Sequence, residues 1–255
     1  MMPRSGLFVV LGLGLALAAC GGGAGEPTGP TGGEEGPSGA APTGGGTVTG
    51  VVNFSGTAPE AEPILMDAEP VCQEQYPDGA FTETAIVNDN GTLLNVFVYV
   101  KEGLADQEWP VPSDGVLLDQ SGCRYHPHVL GIQAGQTLII RNSDGFLHNI
   151  HPMPVNNRPF NIGQPVEMDS EKSFNLPEVM IPVECDVHDW MLGYIGVLEH
   201  PFFAVTGSDG SFSISGLPPG DYLIEAWHEL YGTQTLSVSV PEGGTEQIEF
   251  TYSGG

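Results

Sequence analysis

An all-β protein behind a flexible lead is what this sequence predicts, and three observations predict it. From Thr47 onward, short apolar runs recur at close spacing between Gly, Pro, Asn and Asp turn residues. No window carries the sustained 3.6-residue apolar period of a helical bundle. The 37 Gly and 22 Pro crowd into the lead and the turns and leave most of the runs unbroken.

Residues 1–19 hold one base, Arg4, then an apolar run and small residues before Cys20. That is a secretory leader, too short and too rich in small residues to span a bilayer. Leu17-Ala18-Ala19-Cys20 resembles a bacterial lipobox. The resemblance implies cleavage before Cys20, lipidation of its thiol, and an extracytoplasmic protein held at the outer membrane or the periplasmic face. An ordinary leader with an incidental Cys is the alternative. Residues 21–46 contain no Val, Ile, Leu or aromatic side chain, so they cannot bury enough surface to offset ordering and should form a disordered tether. Its r.m.s. reach is roughly 25–30 Å.

The charge balance narrows the partners. Six Lys+Arg against 32 Asp+Glu give a net charge of −26. Such a chain has too few cations to neutralise phosphates, which argues against nucleic acid. Anionic lipid should not attract it either, leaving the lipid anchor as its only membrane contact.

Strands are expected at residues 47–54, 93–100 (after the Asn90-Gly91 turn), 116–119, 129–132, 137–142, 180–183 and 194–199. Further short runs at 202–206, 212–214, 222–228, 235–240 and 247–252 complete an array of sandwich or barrel type. Residues 58–76, rich in Pro and acids, read as irregular.

The chemistry gathers between residues 147 and 191. His148-Asn149-Ile150-His151 follows an Asn142-Ser143-Asp144-Gly145 turn, and Cys185-Asp186-Val187-His188-Asp189-Trp190-Met191 stands between two expected strands. One thiolate, two imidazoles and a weak thioether make the donor set of a type 1 copper site. Zinc on the same Cys and His residues is an alternative, and so is a purely structural role for each residue taken singly. His151 reads as a neighbour of the ligands or a surface residue. His126 and His128, flanking Pro127, read as exposed strand residues.

On these residues the segment 115–199 resembles the cupredoxins, most closely amicyanin and related short-loop blue copper proteins. The similarity rests on His148-Asn149-Ile150-His151, on Cys185-x-x-His188-x-x-Met191, and on the run from Tyr125 through Ala134-Gly135 to Asn142. It implies a Greek-key β-sandwich binding one copper ion, with His148, Cys185 and His188 as equatorial ligands and Met191 as the weak axial one. It also implies that Asn149 ties the two ligand segments together by hydrogen bonds. Asp189-Trp190 departs from the Pro-containing segment common between the ligand His and Met. The acidic Glu184, Asp186 and Asp189 around the loop should favour Cu(II) and lower the potential.

With Cys20 assigned to lipid and Cys185 to metal, Cys72 and Cys123 remain. A pair in an oxidising compartment forms a disulfide by default, with two buried thiols as the alternative.

Residues 204–222, with the Asp209-Gly210 turn and Leu217-Pro218-Pro219-Gly220, resemble the carboxypeptidase regulatory-like (transthyretin-like) β-sandwich. Domains of that kind open with strands that are missing near residue 202 but present upstream. The economical organisation is therefore leader 1–19, lipidated Cys and linker 20–46, a split sandwich from 47–101 plus 202–255, and a copper domain at 115–199. Two consecutive domains are the alternative.

Function follows as a tethered, extracytoplasmic type 1 copper protein that transfers single electrons and is not an enzyme. Its acidity would steer it to a redox partner with a basic docking surface. The alternative is a metal-independent surface lipoprotein that binds carbohydrate or peptide through the transthyretin-like sandwich.

Overall fold

The structure, a computed structural model, describes residues 44–254. The leader at 1–19, Cys20 and the linker up to residue 43 lie outside the described residues. No helix among the described residues is long and apolar enough to cross a membrane.

The chain opens with β1 (Gly46–Ser55), passes through β2 (Pro63–Ile64), the four-residue α1 (Pro70–Gln73) and β3 (Ala80–Phe81), and reaches β4 (Phe97–Glu102). Nine strands follow: β5 (Val116–Ser121), β6 (Arg124–His126), β7 (Val129–Gln133), β8 (Leu138–Asn142), β9 (His148–Pro152), β10 (Ile162–Gln164), β11 (Met168–Lys172), β12 (Glu178–Glu184) and β13 (Leu192–Leu198). The chain then returns through β14 (Phe203–Val205), β15 (Ser211–Leu217), β16 (Gly220–His228), β17 (Gly232–Val240) and β18 (Thr245–Ser253).

Two sandwiches result, and the fold is all-β. One pairs a sheet of order β15-β1-β18 with a sheet of order β14-β4-β16-β17. The other pairs β10-β9-β12-β13-β7 with β11-β8-β5-β6. In β1 the alternation Val48, Gly50, Val52 points inward, as a strand with one buried face requires. This strand is central to its sheet, with Val51 opposite both Ser211 and Glu249. Phe97 of β4 lies opposite Val205 and Trp227. The first sandwich is thus assembled from β1, β4 and the strands after Phe202, around a core that includes Val52, Val98, Phe212, Ile224 and Phe250.

Several elements differ from the sequence expectation. The run 93–100 becomes regular only at Phe97, because Asn95 takes a left-handed φ of 63° that interrupts it. Strands β10 and β11 lie outside the expected runs; Met168-Asp-Ser-Glu-Lys172 shows no apolar alternation and is mostly exposed. The stretch read as irregular, together with the residues that follow it to Phe81, forms a small lid, β2–α1–β3. It leaves the sandwich of β1 and β4 and buries Met66, Cys72 and Ala80 in the other core. His126 is exposed as expected, but His128 is buried. Its Nε2 meets Glu229 Oε1 at 3.1 Å, bridging the two sandwiches where a solvated residue was anticipated.

The sandwiches join through a third cluster that includes Phe97, Tyr99, Val129, Met180, Phe203 and Val205. Its floor is a cross-strand pair of glycines, Gly131 of β7 opposite Gly196 of β13. A Cβ on Gly131 would come within 2.3 Å of the Phe203 ring, and one on Gly196 within 2.6 Å of both Phe97 and Met180. The absent side chains let the two rings, 5.6 Å apart, lie against the backbone of the neighbouring sheet. Overpacking such a contact costs about 1–3 kcal/mol, so Gly196→Val should lower the urea-unfolding midpoint accordingly. An unchanged midpoint would mean that the two sandwiches part freely there.

Candidate metal centre

The turn between β8 and β9 is built by Asn142. Its Oδ1 accepts the Asp144 N–H at 3.0 Å, and its Nδ2 donates to the Phe146 and Gln164 carbonyls at 2.7 and 2.9 Å. This fixes the point at which His148 starts β9 facing the core. The second segment is the hairpin loop between β12 and β13. It closes on itself through Cys185 N–H to Met191 O (3.3 Å) and Met191 N–H to His188 O (3.0 Å).

These elements bring His148, Cys185 and His188 together. One ligand atom of each lies within 4.8 Å of the others. Nδ1 of His148 stands 2.9 Å from Nδ1 of His188, and Cys185 Sγ stands 3.8 Å from that same His188 nitrogen. Met191, buried in the same core, closes the loop. Asn149 Oδ1 accepts the Asp186 N–H at 2.6 Å, joining β9 to the loop between β12 and β13. Its Nδ2 donates to Asn161, which also reaches Asp186. His151 is turned away from the cluster and meets Asp186 Oδ1 at 2.9 Å.

Electrostatics favour a thiolate. Burial pushes the Cys185 thiol up, but His148, His188 and the N–H groups of Asn149 and Val187 outweigh it and bring it down to about 6. For His148, burial lowers the pKa and hydrogen bonds to Asp144 and Cys185 raise it, with a net rise.

Asp144, read in the sequence only as part of a turn, sits directly behind His148. Its Oδ2 lies 2.8 Å from His148 Nε2, while its two oxygens accept the N–H groups of Gly122 and Cys123 at 2.8 Å each. Gly122 and Cys123, with φ of 63° and 54°, form the two-residue hairpin turn between β5 and β6 whose amides point together at the carboxylate. A carboxylate on the outer nitrogen of an imidazole fixes its tautomer and leaves Nδ1 as the free donor. No signal in the sequence separated Asp144 from the other acids.

Cys123 of that turn bonds to Cys72 of the lid, with an S–S distance of 2.03 Å and Cα atoms 5.7 Å apart. Cys185 is the free cysteine among the described residues. The disulfide sets the lid directly on the cluster, Cys72 Sγ being 3.9 Å from His188 Nε2. Tyr76 OH donates to Gly122 O at 2.6 Å, and Arg124 reaches Glu83 at 2.9 Å and lies over the Tyr76 ring. Under this cover His148, Cys185, His188 and Met191 are 0, 3, 1 and 1% exposed. No donor edge faces solvent.

Residues 199–253 match the family model of the carboxypeptidase regulatory-like domain. No match was found among curated protein sequences. Among solved structures, the chain is similar to a copper-containing nitrite reductase from Thermus scotoductus SA-01, at 22% identity and a TM-score of 0.31 over 38% of this chain. The matched part spans a quarter of that enzyme's length. An oxidised amicyanin variant matches at 17% identity and a TM-score of 0.30, over 38% of this chain and 99% of its own. A purple cupredoxin from Nitrosopumilus maritimus matches at 24% and 0.28, over 32% of this chain and 97% of its own.

Proposed function

We propose that the protein is a type 1 copper protein that carries single electrons, with His148, Cys185, His188 and Met191 holding one copper ion. The observation that carries this reading is the meeting of two Nδ1 atoms and one thiolate-prone Sγ at a fully buried point of the core. That donor set fits copper: the soft sulfur suits Cu(I) and the imidazoles suit Cu(II). When bound, copper supplies a one-electron redox couple.

The chain's own residues supply the rest. Asp144 and Asn149 hold the first ligand strand and the ligand loop in register, so that either oxidation state meets the same cage. The buried setting keeps water off the metal. The exposed Glu184, Asp186 and Asp189 surround the loop with negative charge, which draws a partner with a basic docking face at low salt. On this reading the leader and Cys20 place the protein outside the cytoplasm on a lipid anchor, and the protein is a carrier and not an enzyme.

The test is a visible spectrum of the purified chain after addition of Cu(II). An intense thiolate-to-copper band that bleaches on reduction is expected. A colourless copper-loaded protein would rule the assignment out.

A further inference from the structure

We propose that Trp190 is the port through which an electron reaches the buried ligand cluster. The inference rests on the copper reading and adds to it the route of exchange. All four candidate ligands are closed to solvent, His188 included at 1%. A partner at the surface therefore has to reach them through a side chain packed against a ligand.

Besides His148, whose ring centroid lies 4.7 Å away, the following groups pack on His188. The first is the Cys72–Cys123 disulfide, itself 0% exposed beneath the lid. The second is Phe146, also half-buried, whose ring centroid is 6.5 Å from that of His188 and 5.0 Å from that of His148. The third is Trp190, 5.1 Å from the His188 ring. Its indole is half-buried and tilted 39° against the His188 ring, so part of it packs on that ring and part is open to solvent. Nε1–H donates to Cys123 O at 3.1 Å, which pins the indole to the same hairpin turn that carries the disulfide. The outer side borders a cavity of about 180 Å³ that is also lined by Glu83, Arg124 and Asp189. The lid thus blocks the imidazole edge, and the adjacent indole offers a continuous π path from ligand to surface.

Exchange along this path is outer-sphere. One electron would pass inward from a one-electron reductant, which is oxidised by one unit, to bound Cu(II), which becomes Cu(I). No bond forms or breaks and no proton moves.

The experiment uses the copper-loaded chain and hexaammineruthenium(II), a cationic outer-sphere reductant, with the rate followed by bleaching of the thiolate band. Trp190→Leu should slow reduction by about tenfold, while the band and the potential stay as in the wild type. Trp190→Phe, which keeps an aromatic ring, should restore the rate to within about twofold, and Phe146→Leu should change it no more than that. Independently of any rate, the Trp190 indole N–H resonance should be broadened by Cu(II) and return with Cu(I).

A Trp190→Leu protein with a normal band and an unchanged rate would overturn the port while leaving the copper reading intact. So would a larger effect of Phe146→Leu. Should Trp190→Leu fail to fold, an indole resonance that stays sharp with Cu(II) would overturn it equally. A wild type without the thiolate band removes the copper reading, and the port with it.

Discussion

Cys185→Ser is expected to abolish the visible band of the copper-loaded protein completely. The band needs a filled sulfur orbital facing Cu(II), and Cys185 is the free thiol in the cluster, with His148 and His188 holding it toward the thiolate. A serine hydroxyl at that position stays protonated and presents a hard oxygen, so copper affinity should fall together with the colour. Met191→Leu separates the two kinds of ligand. It should keep the colour, because the thiolate remains, and raise the reduction potential, because losing a weak axial donor disfavours Cu(II) more than Cu(I). Spectroelectrochemistry reads both quantities. Residual blue or purple colour in Cys185→Ser would place the chromophore elsewhere.

The second large effect belongs to the lid. Replacing Cys72 and Cys123 together by Ala should cost about 3–4 kcal/mol of unfolding free energy in the chain-entropy account, given the sequence separation of 51 residues. Besides the disulfide, the lid is held by two two-residue strands, a four-residue helix, the burial of Met66 and Ala80, and contacts around Tyr76 and Arg124. Its release should expose His188, and copper should then exchange faster with a chelator than in the wild type. Urea unfolding and chelator competition measure the two consequences. A complementary check is a thiol titration of the denatured, unreduced protein. It should find the Cys185 thiol and leave Cys72 and Cys123 unreactive.

How much of this was legible in the sequence depends on the kind of signal. Val48 and Val52 alternate on one face and Asp209-Gly210 punctuates two runs, so the strands and their sandwich character could be read from local pattern. His148 and the Cys185–Met191 spacing stood out because rare, soft donors were concentrated in a few residues. Asp144, the lid and Trp190 were not legible, for separate reasons. Asp144 is one of 32 acids, and only the fold aims it at His148. The lid carries so little regular structure that its composition looks like a loop. Trp190 taken alone is the profile of a core aromatic, and its meaning comes from Cys72 lying across the exit beside it. His128 was misjudged because its partner, Glu229, is 101 residues away, a separation that local pattern cannot reach.

The pairing of β1 with β18 has a consequence for how the chain acquires its fold. Thr49 and Glu246 are hydrogen-bonded neighbours 197 residues apart, and joining such distant segments in an open chain carries a heavy loop-closure penalty. The nine strands from Val116 to Leu198 can first form a sandwich by themselves, since every partner in their two sheets lies within that span. Once they do, Glu102 and Phe203 are no longer the ends of a long random coil but the two ends of a compact body. Antiparallel pairing of Phe203 with Tyr99 then becomes nearly local. The inserted lobe thus acts as an internal template for its host, and the order of assembly should run from the middle of the chain outward. Until that second stage, β1 waits as an unpaired edge, a transient aggregation hazard that the acidic character of the chain helps to hold apart.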